Sequence, residues 1–292
     1  MRIDWFLAGI AAFSLTAPAQ LQDTVSSSTM SNRGTIQGSM GFSGRGFMGP
    51  PVTGAPYSAQ RVFERVQVAA DGTRFTQSNQ QEIIYRDSQG RVRTERSMMG
   101  PNSSAGAPVV VEIQDPIAGY SYTLDTQNKV AHRIALQTPE SRPGVAPNRV
   151  GGGVAAPATT TVVRSGVLTG MIAPPAGAAV ASRPRPEIKQ EDLGQQVIEG
   201  VVAEGHRNTQ TWPTGSVGND RPFQVVNETW FSPDIKETVL GKNSDPRSGE
   251  STTKLTNISR NEPSADLFMP PADYQVVDET GPFQIHWTAS RQ

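Results

Sequence analysis

Apolar and polar residues alternate with a period of two through most of the first half of the chain, the spacing of half-buried strands. Val62, Val66 and Val68 lie in such a run ahead of an Asp71-Gly72 turn, and Arg74-Phe75-Thr76 continues beyond it, which predicts a hairpin. Gln81 to Asp87 and Arg91 to Met98 flank Ser88-Gln89-Gly90 and predict a second. Val109 to Ile113, the Asp115-Pro116-Ile117-Ala118-Gly119 turn, and a strand with Tyr120, Tyr122 and Leu124 on one face follow. After Thr126-Gln127-Asn128, Val130, His132, Ile134 and Leu136 share one face while Lys129 and Arg133 share the other. Strand patterns return at Val197 to Ala203, Glu204 to Trp212, Pro222 to Phe231, Ile235 to Lys242 and Ser251 to Ser259. Ser232-Pro233-Asp234 and Asp245-Pro246-Arg247-Ser248-Gly249 separate the last three. Glu262 to Phe268 predicts one short helical turn presenting Leu267 and Phe268 to a core, stopped by Pro270-Pro271 before an edge strand over Tyr274 to Val277. No stretch shows three turns of amphipathic helix, so the predicted class is mainly β, a curved antiparallel sheet with few short helices and long disordered segments.

The intervals between these patterns set the domain boundaries. Arg2, the apolar run from Trp5 to Leu15 and the small residues Ala17-Pro18-Ala19 predict a cleavable secretory signal over 1–19, too short to span a bilayer. Residues 20–59 are Ser, Gly, Thr, Met and Pro without periodicity and are expected to form a disordered arm. Residues 60–136 are the first half of the β domain and 191–280 the second, with 281–292 as a tail. The intervening 137–190 is a Pro/Gly/Ala-rich linker: its last 53 residues hold eight Pro, seven Gly and nine Ala, too little apolar surface to offset the entropy of ordering.

Composition narrows the function. Over 292 residues there are 26 basic and 27 acidic side chains, a formal charge of −1, which gives no electrostatic footprint for nucleic acid. With no cysteine, an exported chain gains no disulfide, lipobox anchor or thiolate metal site. The mature chain is expected to carry no integral membrane segment and to be periplasmic or secreted.

Two sets of phrases carry a family resemblance. Arg93-Thr94-Glu95-Arg96, Val111-Glu112-Ile113-Gln114-Asp115 and Gly119-Tyr120-Ser121-Tyr122-Thr123-Leu124-Asp125 resemble the first half of the lipoprotein-carrier (LolA-like) family. Trp230-Phe231-Ser232-Pro233, Leu255-Thr256-Asn257-Ile258, and Leu267-Phe268 with Pro270-Pro271 and Tyr274 resemble its second half and closing signature. The same phrases, with the Asp245-Pro246-Arg247 turn, are similar to a set of uncharacterised exported bacterial proteins. The resemblance implies a half-barrel around an apolar cavity that holds acyl chains, but the helices that plug such cavities are not visible in this sequence.

Catalytic signatures find little support. Gly44-Arg45-Gly46-Phe47-Met48-Gly49 spells a dinucleotide fingerprint, yet it follows no strand and runs into Pro50-Pro51 where a helix must begin. His132, His206 and His286 have no metal-ligand spacing, and no G-x-S-x-G is present. Arg91, Arg93 and Glu95 project together, the pattern of a solvated face. The expectation is a non-enzymatic protein without cofactor that binds a lipid or other apolar ligand on the concave face, with Tyr120, Tyr122, Leu124, Trp230 and Phe268 lining the site. The alternative is an envelope sensor or scaffold that binds other proteins; a periplasmic hydrolase is a distant third.

Overall fold

The computed structural model describes residues 26–30, 35–43, 46–47, 50–69, 71–98, 108–137 and 185–290. The expected export signal, the linker as far as residue 184, and most of the Gly44–Gly49 motif lie outside these residues. Within them the first half runs β1 (Ser26–Met30), β2 (Thr35–Phe42), β3 (Gly46–Phe47), β4 (Tyr57–Val68), β5 (Arg74–Arg86), β6 (Val92–Ser97), β7 (Val109–Asp115), β8 (Tyr120–Asp125) and β9 (Val130–Gln137). The second half runs β10 (Glu187–Ile198), β11 (Val201–Trp212), β12 (Phe223–Ser232), β13 (Glu237–Asp245), β14 (Gly249–Ser259), a 3-10 turn (Ala265–Phe268), β15 (Gln275–Asp278) and β16 (Phe283–Ser290).

One open, curved sheet takes strands from both halves in the order β10-β11-β12-β13-β14-β4-β5-β6-β7-β8-β9-β15, with β3 also on β9. Two antiparallel meanders, β4 to β9 and β10 to β14, are joined where β14 pairs with β4, Leu255 opposite Arg61 and Lys254 opposite Val62. Among the described residues only β15 and β3 run parallel to their neighbour, both on the outer edge of β9.

Four hairpins repeat one local device. Asp87, Asp115, Asp125 and Asp245 each close a strand, and each carboxylate accepts a backbone N–H two residues on, from Gln89, Ile117, Gln127 and Arg247 at 2.9 to 3.1 Å. Three of these aspartates are buried, so the turn N–H donors and the charge satisfy each other. The β10–β11 turn works differently: Glu199 and Gly200 both have positive φ, 48° and 80°, as a tight two-residue hairpin turn demands. The sequence pattern predicts one strand from Val197 to Ala203; the reversal at Glu199 divides it, because a glutamate in that position gives no turn signal.

Register shifts at Asp192/Gly194, Trp230/Phe231, Thr256/Ser259 and Arg65/Val66 bend the strands. The bend is strong enough for Glu199 Oε2 to accept the backbone N–H of Asn257 at 3.2 Å. Glu199 sits in the turn that leads into β11, and β11 and β14 are three steps apart, about 14 Å in a flat sheet at ~4.8 Å per step. Inside this curl Tyr57, Ala59, Ile84, Val201, Ala203, Trp230, Ile235, Val239 and Leu255 form one buried cluster, so this end of the curve is filled by its own side chains. A buried polar group sits among them: Arg86 donates to Ala55 O at 3.0 Å and to Ile235 O, pairs with Glu237 at 3.6 Å, and lies 4.7 Å over the Tyr57 ring.

At the other end the sequence expectation is corrected. Parts of the predicted arm, β1 and β2, and most of the predicted tail, β16, are the strands of a separate three-stranded sheet, β1-β2-β16. Met40, Phe42, Phe283, Ile285 and Trp287 pack through it onto Met98, Val110 and Ile134 of the main sheet. The apolar alternation of β2 is broken by Gly38, whose missing side chain is replaced by the Trp287 indole of the paired strand, which fills the space where a Cβ would stand. A glycine filled from across the sheet is invisible to a one-strand pattern.

Candidate functional site

The opposite face of β7, β8 and β9 is built by register. Val111 faces Leu124, Ile113 faces Tyr122, and Leu124 faces Ala131, so these side chains stand on one side of three adjacent strands. A strap of residues 265–278 crosses this face with its 3-10 turn and joins the sheet edge as β15, and Phe268 inserts from it into the cluster of Val111, Ile113, Leu124 and Ala131, fully buried. Leu267 and Tyr274 of the strap, with Tyr85 and Tyr122 of the sheet, pack around that cluster half-buried. Tyr120 continues the row, its ring 6.4 Å from that of Tyr122.

Charged groups fix the strap. Arg93 donates to the carbonyl of Leu267 at 3.0 Å and to Glu95 at 2.7 Å, and Arg91, paired with Asp87 at 2.6 Å, lies 5.1 Å over the Phe268 ring. The solvated face expected for Arg91, Arg93 and Glu95 is instead largely covered, with side chains 14 to 24% exposed, because the strap lies on it. Along β9, Lys129 pairs with Asp273 at 2.7 Å, Arg133 with Asp278 at 2.5 and 2.9 Å, and His132 with Glu279 at 2.8 Å. His132 also stacks on Phe283 at 4.4 Å, which ties the strap's far end to the second sheet.

The Arg133 guanidinium sits 4.8 Å over the Tyr120 ring, and Arg133 stands opposite Tyr122 in the β8–β9 register. Its bonds to Asp278 hold the Asp278 carboxyl below the usual carboxylate range and push the guanidinium further up. Burial raises the Tyr85 and Tyr274 phenols, with Glu95 and Asp273 adding to it, so both stay neutral donors.

The five residues singled out from sequence separate into two places. Leu124 and Phe268 are fully buried in one cluster, with Tyr122 against it and Tyr120 beside Tyr122. Trp230 belongs to the curled core at the other end, where its Nε1 donates to Glu228 at 2.8 Å and its ring covers Gly205. Sequence reasoning did not single out Arg133, Tyr85 and Asp278. Arg133 was the readable one, since its parity on β9 opposes that of His132 and so aligns it with Lys129, toward the tyrosines.

His132, His206 and His286 lie on β9, β11 and β16, and among the described residues no three His, Asp or Glu side chains are grouped to hold a metal. Gly46-Phe47 of the dinucleotide-like motif pairs with the end of β9. Among the described residues no helix is long and apolar enough to cross a membrane.

No protein-family model matches the sequence, and no curated protein does. Among solved structures the chain is similar to one in the MucA/MucB complex of Pseudomonas aeruginosa, at 13% identity and TM-score 0.35, over 77% of this chain and 58% of that one. This chain therefore spans less than two thirds of that protein's length. It is also similar to a LolA superfamily protein from Nitrosomonas europaea (9% identity, TM-score 0.28, 75% of this chain and 92% of that one). The third is LprF from Mycobacterium bovis (13%, 0.26, 72% and 90%). The second of these bears the family name that the sequence phrases resemble.

Proposed function

We propose that this is an exported, non-enzymatic binding protein whose strapped tyrosine face receives an elongated apolar ligand such as the acyl chain of a lipid. One observation carries the reading. Tyr85, Tyr120, Tyr122 and Tyr274 are only partly buried, on a face whose core is already closed beneath them by Ile113, Leu124 and Phe268. Large aromatic surface beyond what the core needs, with phenols at its rim, suits an apolar chain with a polar end. The filled curl around Trp230 supports no such role at the other end. Export rests on the signal pattern of residues 1–19.

The test is native mass spectrometry of mature protein from its own host, with titration of a fluorescent fatty acid. A bound lipid mass and saturable probe binding that weakens in Tyr122→Ala are expected. A clean apo mass together with no probe uptake overturns the reading.

A second reading, a scaffold for envelope proteins, draws on β10. This strand forms one edge of the main sheet over 12 residues, and among the described residues no strand pairs on its outer side. Free edge groups can add a strand from a partner. That reading predicts a pull-down partner lost on Gln190→Pro and indifferent to lipid.

A further inference from the structure

We propose that Arg133 is the head-group site for an anionic amphiphile, and that Asp278 occupies it as a built-in substitute carboxylate. This rests on the tyrosine face being the ligand face. Arg133 Nε and Nη2 donate to the two oxygens of Asp278 at 2.5 and 2.9 Å, the parallel pair of bonds that a guanidinium makes with any carboxylate or phosphate. The fork stands where the apolar face meets water. Its guanidinium lies over Tyr120, Arg133 stands opposite Tyr122 in the register of β8 and β9, and Tyr122 packs against the cluster that holds Leu124 and Phe268. A chain lying along the tyrosines therefore ends beside Arg133.

The present occupant is easy to displace. Asp278 is the last residue of the four-residue β15, and its side chain is 66% exposed against 32% for Arg133. Exposed ion pairs of this kind add little stability, so a ligand anion brought in by its own apolar chain competes on favourable terms. The other arginines of the face are held inward, Arg91 by Asp87, Arg93 by Glu95 and the Leu267 carbonyl. Lys129, just ahead of β9, is held by Asp273 at 2.7 Å. The chemistry recognised is a carboxylate or phosphate on an apolar chain, from a fatty acid or a phospholipid.

The experiment uses the full mature chain with a dansyl-labelled fatty acid, its methyl ester, and lysophosphatidic acid as a competitor. The acid is expected to bind about fivefold more tightly than the ester, the effect of one part-exposed charged hydrogen bond. Asp278→Asn should tighten the acid by about the same factor and leave the ester unchanged. Arg133→Gln should remove the difference between acid and ester, and Arg133→Lys should restore part of it. Retained ester binding shows that the face is folded in each variant; if Arg133→Gln does not fold, Asp278→Asn decides alone. Displacement at lower concentration by lysophosphatidic acid than by unlabelled fatty acid assigns the phosphate head, and the reverse order assigns the carboxylate. Equal binding of acid and ester by the native chain, or an equal change of both in Asp278→Asn, overturns the role of Arg133 and leaves the ligand face standing. Binding of neither overturns the ligand face as well.

Discussion

Gly205 on β11 stands opposite Trp230 on β12, and a Cβ at Gly205 would lie 2.7 to 2.8 Å from three atoms of the indole ring. Trp230 is 8% exposed and cannot yield outward, and its Nε1 is held by Glu228 at 2.8 Å. In Gly205→Ala the ring must move. Overpacking a core costs roughly 1–3 kcal/mol, and a displaced indole also loses a hydrogen bond to a charged acceptor, worth about 1.5–3 kcal/mol when intact. A combined loss of about 2.5–6 kcal/mol lowers the melting temperature by roughly 5–24 °C for an ordered region of this size. Gly241→Ala on β13 is the control, since nothing lies within 4 Å of its would-be Cβ and its φ is ordinary. The assay is thermal melting by circular dichroism of the two variants side by side, with Trp230→Phe added to the first. The smaller ring should recover part of the loss, a coupling expected only of residues in contact. Equal melting of Gly205→Ala and Gly241→Ala, or additive behaviour of the double variant, would refute the reasoning.

Phe268→Ala should cost about 3–5 kcal/mol, since a fully buried aromatic leaves a cavity, and hydrogen exchange should show the strap, Ala265 to Asp278, losing protection before β7 and β8 do; unchanged strap protection would contradict its role as the plug. Burial, reinforced by the neighbouring Glu237 carboxylate, pushes the Tyr57 phenol above its usual range. The folded chain therefore keeps this phenol neutral where an unfolded tyrosine ionises near pH 10, so its contribution is present below about pH 10 and is lost as the pH rises beyond it. Urea midpoints measured from pH 8 to 11 should fall at the alkaline end, and Tyr57→Phe should flatten that fall; an identical slope in the variant would show that Tyr57 is not the group responsible.

The readable parts of this chain are those in which one strand or one turn carries its own signal. Tyr120, Tyr122 and Leu124 share a face because extended backbone alternates, and the Asp115 and Asp125 turns are written in their own residues. Leu267 and Phe268 were legible as core residues because Pro270-Pro271 ends the turn that presents them. The unreadable parts depend on partners far along the chain. The β2–β16 pairing is masked by Gly38, a gap that only Trp287 makes sensible. Trp230 lies in the curl rather than with the tyrosines because register shifts decide how far the sheet bends, and a shift is a relation between two strands. Arg133 could be assigned to a face by parity, but its tie to Asp278 requires β15 to lie parallel beside β9.

The account depends above all on β14 pairing with β4, which makes one curved sheet of two meanders separated by a long proline-rich interval. Native-state hydrogen exchange of the mature protein in low denaturant tests this directly. The pairing predicts that the amides linking Tyr57–Val68 and Gly249–Ser259 open together, with one free energy close to that of global unfolding. Exchange of either strand well before the other, with the two meanders opening at separate denaturant concentrations, would contradict it.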